Sequence, residues 1–317
     1  MCSLSSSPKK DGDDAMERIL RAPQPAAVGW RQLLEVIKCQ AWFRLKSFYF
    51  WKLELVLELI GISVNVLTFY FISILGGEAL NVSLQPYGES YVAFYAVGMA
   101  IHYTIDTSGL RKPAKEFQRL YWKGEVETWL VAPAPFWTFF IASQVFGLIR
   151  MSLPILGWLV FGILLGGNIA PSPNIGMIIL LILFGLVATT GYGILATSTF
   201  YFLEAKTGEV PLLFVTNLLI YPVTGLVFPF MILPRWLQVI GLTLPQTYVY
   251  DGFRRALLNP NNYSPTLPIH NILPFHPILT DLLCTVPLSL LLLWFGWWAF
   301  KRSVNYAKRN GTLTRWV

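Results

Sequence analysis

The chain has 317 residues, of which 55% are hydrophobic, 15% aromatic and only 13% charged, with a mean hydropathy of +0.54 and a net charge of +7. A soluble globular domain carries roughly a quarter charged residues, whereas here the charges sit between apolar runs of the roughly 20 residues needed to cross a bilayer. That excludes an ordinary soluble enzyme. The positive charge gives no reason to expect nucleic acid either, because the basic residues gather beside the apolar runs, as in cytoplasmic loops.

In chain order, residues 1–29 are polar and rich in Ser, Pro and Asp, and are expected to form a disordered cytoplasmic tail. No apolar core falls within them, so a cleaved signal peptide is not expected. From Trp30 to about Lys52, Trp30, Leu33, Leu34, Ile37, Ala41, Leu45 and Phe48 recur at helical spacing among Arg31, Glu35, Lys38 and Lys46. This predicts an amphipathic helix at the membrane interface, serving as an anchor or as a lever. Six spans follow, near residues 53–75, 90–109, 136–166, 174–203, 211–232 and 278–300. Residues 76–89, 166–173 and 204–210 read as short connections. Pro222 and Gly225 are expected to weaken the fifth span, as a hinge or as a static kink.

Lys and Arg flank the starts and ends of these spans unevenly. They precede span one, follow spans two, four and six, and are absent from the connections after spans one and three. Both termini are therefore expected on the cytoplasmic side of a plasma (inner) membrane. Residues 233–260, between spans five and six, hold two helix-length segments too short to cross, which read as external re-entrant or interfacial helices. Residues 301–317 form a basic cytoplasmic tail in this reading.

Chemistry-bearing motifs are scarce. There is no phosphate-binding GxxxxGK[ST] loop and no HExxH, and His102, His270 and His276 are scattered. Cys2, Cys39 and Cys284 suggest small reduced apolar residues rather than a disulfide framework. No catalytic residue, bound cofactor or metal is expected. Within the apolar runs stand Glu54, Glu58, His102, Asp106 and Arg150. Ionisable groups at depth are functional candidates: Arg150 either pairs with His102, Asp106 or a span-one glutamate, or serves a substrate. Asn65, Thr68, Asn217, Tyr221 and Thr224 either line a pathway or bond between helices.

Two stretches resemble a known family. Gly124-Glu125-Val126-Glu127, followed by Trp129-Leu130-Val131-Ala132-Pro133, is similar to the G-T-L-E…L-L-V-T-P run of ABC-2 type permeases, the membrane subunits of type V ABC exporters. Farther on, Gly225, Phe228-Pro229 and Leu233-Pro234-Arg235-Trp236-Leu237-Gln238 resemble the family's pattern at the end of span five. Leu244-Pro245, Thr247-Tyr248, Asp251 and Arg254-Arg255-Ala256-Leu257-Leu258 continue that pattern. The chain departs from it with Glu125 where the family often has Thr, and with a longer external connector.

The resemblance covers about residues 30–300 and implies an all-α membrane domain with a coupling helix at about 111–135. It implies that ATP and Mg are bound by separate ATPase subunits and that a second permease chain, an identical copy in a homodimer or a related one in a heterodimer, pairs with this one. Lipid surrounds the pair, and no nucleic acid is involved. Glu116, Arg119, Trp122, Lys123, Gly124, Glu125, Glu127, Trp129, Leu130 and Pro133 would then meet the ATPase, with Leu120 and Val126 as further apolar anchors. Asn65, His102, Arg150, Asn217, Tyr221 and Thr224 would line the substrate pathway. Phe228, Pro229, Phe230, Pro234 and Trp236 would form an external gate. The expected function is alternating-access export of a lipid, a lipid-linked glycan or polysaccharide, or an amphipathic drug-like molecule. The competing expectation is an ion-gradient-driven carrier or channel without an ATPase.

Overall fold

The computed structural model describes residues 30–48, 52–88, 90–132, 135–165, 175–202, 211–259, 261–273 and 275–310. The expected tail at 1–29, the turns at 166–173 and 204–210, Pro133, and the end of the basic tail lie outside the described residues. Those described are overwhelmingly helical and contain no strand. The helices are α1 (Trp30–Phe48), α2 (Lys52–Leu84), α3 (Tyr91–His102), α4 (Lys112–Trp122), α5 (Val126–Val131), α6 (Trp137–Leu164), α7 (Ile175–Phe202), α8 (Pro211–Val223), α9 (Arg235–Leu242), α10 (Pro245–Leu258) and α11 (Pro277–Asn310).

Four of them are long and apolar enough to cross a membrane: Val56–Leu75 within α2, then α6, Ile175–Tyr201 within α7, and α11. The other two expected runs differ. Residues 90–109 form α3 and then a nine-residue π-helix, Tyr103–Arg111. Every residue of α3 is buried, so this run is encased by the other helices. The fifth run stops at Val223 instead of about 232. Pro222 withholds a backbone donor, and Gly225 then turns with φ 73. One further expectation fails. The connection drawn at 76–89 is mostly helix, because α2 continues to Leu84 and stops only where Pro86 and left-handed Gly88 intervene. Beyond its apolar run, α11 continues as helix through residues 301–310 of the basic segment.

The centre of the bundle is the parallel pair α7 and α11. A Cβ on Gly296 would lie 2.3 Å from the carbonyl oxygen of Gly191, and one on Gly191 would lie 2.6 Å from the Leu293 nitrogen. Glycine alone allows backbones this close, a device that packs helices where lipid offers no hydrophobic drive. Hydroxyls inside the pair return to carbonyls of their own helices: Thr190 to Leu186 at 2.6 Å, Thr197 to Ile194 at 2.6 Å, and Ser303 to Phe300 at 2.8 Å. Buried polar groups are thereby paired without water.

At the N-terminal ends of α7 and α11 sits a cap made by α9 and α10. Residues of α10 from Pro245 to Ala256 are all buried, including Arg254 at 2% exposure and Arg255 at 1%. The Arg254 guanidinium donates to the carbonyl of Phe94 at 3.0 Å, to that of Gly225 at 2.7 Å and to that of Leu226, and it stacks 3.6 Å over the Phe94 ring. The helix break at Pro222–Gly225 is what leaves the Gly225 and Leu226 carbonyls available. Arg255 donates to Asp251 at 2.9 Å and to the Ser264 carbonyl at 2.6 Å, drawing the following connector onto α10.

On that connector, Nδ1 of His270 accepts from the backbone N–H groups of Leu267 at 3.3 Å and Thr266 at 3.4 Å. The ring proton therefore sits on Nε2, which donates to Asp281 at 3.0 Å. Burial, reinforced by the nearby Arg255, pushes the His270 pKa down to about 4 despite the counter-pull of Asp251.

Gly296→Ala should force α7 and α11 apart and cost about 1–3 kcal/mol, an overpacking penalty, read as a lower melting temperature in detergent. Since His270 titrates near 6.5 when unfolded and near 4 when folded, its contribution is complete above pH 6.5. It should fade as the pH falls towards 4, because the unfolded chain then binds more protons. Thermal melts of His270→Gln, which keeps a donor towards Asp281, should lack this acid-side loss.

Candidate functional site

Two features are candidates for function: a surface element at the C-terminal ends of α7 and α11, and a polar network inside the bundle. Leu181 of α7 lies in the cap cluster, and Phe200 packs against Tyr121 of the surface element. The helical rise from residue 181 to residue 200 puts the two ends roughly 30 Å apart at about 1.5 Å per residue, about the thickness of the hydrocarbon core.

The surface element is α4, a turn, and α5. It is two helices rather than the single helix expected over 111–135, because Gly124 adopts φ 72, a left-handed conformation that ends α4. The turn is closed by the Glu125 N–H donating to the Leu120 carbonyl at 2.9 Å. The inner face is an aromatic cluster in which Phe117 packs edge-on against Phe139 of α6, Tyr201 of α7 and Phe300 of α11. Leu120 and Val126 are buried in this same cluster. They are core residues of this chain, which corrects their assignment as anchors for a partner. Trp129 and Leu130 pack against the cluster's edge, with Trp129 edge-on to Phe139. The outer face exposes Lys115, Arg119, Lys123, Gly124, Glu125 and Glu127. Glu116 is half-buried and pairs with Arg119 at 2.9 Å, and Trp122 is half-buried. Five charges thus point outwards from a base tied to three membrane-length helices.

The inner network is built where α3 becomes the π-helix. The wider turn brings Asp106, fully buried, under His102 and towards α10. Asp106 accepts from the Tyr250 hydroxyl, from Nδ1 of His102 at 3.1 Å and from Gln246 at 3.3 Å. Nδ1 of His102 is also 3.0 Å from the Tyr250 oxygen, and Nε2 is 3.4 Å from the Tyr221 hydroxyl. A proton on Nδ1 satisfies all these contacts, leaving Nε2 to accept from Tyr221.

Of the residues expected along a pathway, His102, Tyr221 and Thr224 thus lie in or near the bundle interior. Thr224 is occupied with the Ile220 carbonyl. Asn65 is exposed and donates to the Gly61 carbonyl at 2.8 Å, as Thr68 does to Val64. The Asn217 side chain lies outside the described residues. Arg150 is half-buried on α6 and is not a partner of His102 or Asp106, whose needs are met by each other and by Tyr250, Gln246 and Tyr221. Of the expected gate, Pro229 and Phe230 are buried beneath α9, whereas Phe228, Pro234 and Trp236 face outwards.

Sequence reasoning missed Tyr250, Gln246 and Arg111 as members of this interior. Arg111 was grouped with the surface element but ends the π-helix. Its Nε and Nη2 are enclosed without a hydrogen-bond partner among the described residues.

No protein-family model and no curated protein matches this chain.

Tyr250→Phe removes a donor from a fully buried carboxylate and should cost about 1–3 kcal/mol. Thermal unfolding would show this, with Tyr221→Phe costing less because its contact is longer.

Proposed function

We propose that this chain is the membrane-embedded permease subunit of an ATP-driven exporter of the ABC-2 type. Six passes cross the inner membrane in this reading, two of them through the composite α3–π run and through α8 with its irregular continuation. Both termini are cytoplasmic. The observation that carries the reading is the α4–α5 element. It is short, rigidly based on Phe117, Phe139, Tyr201 and Phe300, and charged on its outer face. An ATPase working in water needs such a handle to move helices in lipid. The G-E-V-E…L-V-A-P run falls on this element, around the left-handed Gly124 and the start of α5.

In this mechanism two copies pair, as closed symmetry favours, and two ATPase subunits dock below, one on the α4–α5 element of each copy. Glu125, Glu127, Lys123, Arg119 and Lys115 make the charged contacts, and Gly124 presents the turn. Closure of the ATPases on ATP pushes α4, and the aromatic cluster carries the displacement to α6, α7 and α11. The cap over α7 and α11 acts as the outer lid. The π-helix, a deformation that often marks working sites, borders the substrate route. Arg111, with two enclosed nitrogens lacking acceptors, suits an anionic headgroup, which favours phosphate-bearing lipids and lipid-linked glycans among the expected substrates.

A second reading has a specific observation behind it. The buried His102–Asp106–Tyr250 network would suit a proton-driven carrier, since ionisable groups inside a membrane bundle commonly relay protons. Transport by the purified chain in liposomes, without any ATPase and under a proton gradient, would decide for that carrier.

The coupling test is charge reversal on the exposed face. Glu125→Lys with Glu127→Lys should lower ATPase docking on the order of tenfold, about 1.4 kcal/mol. ATP-dependent transport in liposomes should fall with it, while the melting temperature stays unchanged. Undiminished docking and transport would refute the assignment. Trp129→Ala is the weaker probe, because Trp129 also packs on Phe139.

A further inference from the structure

Asp281, in the first turn of α11, is fully buried. Its Oδ1 accepts the Nε2 proton of His270 at 3.0 Å, but its Oδ2 has no hydrogen-bond partner among the described residues. That oxygen faces α10, 3.2 Å from where a Cβ on Gly252, the residue after Asp251, would stand. Ligand atoms of Asp251, His270 and Asp281 all fall within 4.8 Å of one another. Arg255 offsets one of these two buried carboxyl charges, that of Asp251. The second, on Asp281, cannot stay ionised beside it in a dry site without a positive partner of its own.

Two candidates fit that space, a metal cation and a proton. The surroundings argue against the cation. Nδ1 of His270 is occupied by backbone N–H groups, so Nε2 carries the proton and has no lone pair for a metal. Asp251 already accepts from the Tyr87 hydroxyl, from Arg255 at 2.9 Å and from Thr266 at 2.7 Å. The Arg255 guanidinium there neutralises Asp251 and would repel a second cation. Arg254 does not compensate Asp281, since its donors are committed to the Phe94, Gly225 and Leu226 carbonyls. The remaining titratable neighbours, Tyr248 on α10 and Cys284 on α11, are neutral at physiological pH and add no positive charge.

We propose that Asp251 and Asp281 form a proton-binding site, with one proton on Asp281 Oδ2 donated to Asp251, and that this bond fastens the cap helix α10 to α11. The inference does not depend on the transport reading; it concerns how the cap is held whatever passes beneath it. The proton is drawn from water as the cap closes, and it returns to water when α10 and α11 separate or when rising pH removes it.

The test uses the full chain in lipid nanodiscs. At neutral pH, infrared spectra of wild type should contain the C=O stretch of a protonated carboxyl group, and Asp281→Asn should lack it. Asp281→Asn places an amide donor where the proton was, so its melting temperature should stay within about 2 °C of wild type. Asp281→Leu, which also strands the His270 proton, should lose more than about 4 °C. Raising the pH should lower the wild-type melting temperature and leave that of Asp281→Asn flat over the same range. Absence of the carboxyl band would overturn the proposal. So would Asp281→Asn falling as far as Asp281→Leu, or a wild-type melting temperature raised by Mg²⁺, Ca²⁺ or Zn²⁺ and lowered by EDTA, which would assign the site to a metal.

Discussion

Arg254 holds the upper half of this structure together. In a medium without water, a backbone carbonyl released from its helix must find a donor or cost several kcal/mol. Pro222 and Gly225 release such carbonyls by ending α8, and the Arg254 guanidinium, buried beside Phe94, takes up those of Gly225 and Leu226. The same side chain bonds to the Phe94 carbonyl on α3. One residue of the cap therefore closes the break in α8 and ties α3 to α10. The irregular stretch after Val223 is stable because the cap is there, and the cap is buried because that stretch offers it acceptors.

Much of this architecture was legible in the sequence, and the boundary of legibility has physical causes. The long apolar runs of α6, α7 and α11 announce themselves because length and hydropathy alone define a helix that can cross a bilayer. The π-helix at Tyr103–Arg111 did not, since its residues differ little from those of an α-helix; the extra residue per turn is imposed by packing against α6 and α7. Gly76-Gly77 looked like a loop by propensity. Inside an apolar helix, however, glycine's cost of about 1 kcal/mol is smaller than that of abandoning backbone bonds.

The candidate sites show the same division. The α4–α5 element stood out as a charged island, and Gly124 marked its turn. What pattern alone could not separate was inner face from outer: Leu120 and Val126 belong to the aromatic core, while Glu125 and Glu127 face outwards. His102 and Asp106 were visible as ionisable residues one helical turn apart. Their partners Tyr250 and Gln246, about 140 positions away, were not, because no spacing rule links α3 to α10. Arg150, the most conspicuous charge in its run, stays apart from that network.

The glycine contact between α7 and α11 also bears on how the molecule is made. The helix that seals the centre follows the cap in the chain, so Asp251 leaves the ribosome before Asp281, which faces it from α11, exists. Until α11 arrives, α7 presents a bare groove at Gly191, and the cap has no floor at Asp281. What Arg254 needs, the carbonyls of Phe94, Gly225 and Leu226, is already made by then. Membrane quality control would meet this chain with its cap held on one side only for as long as α11 takes to thread.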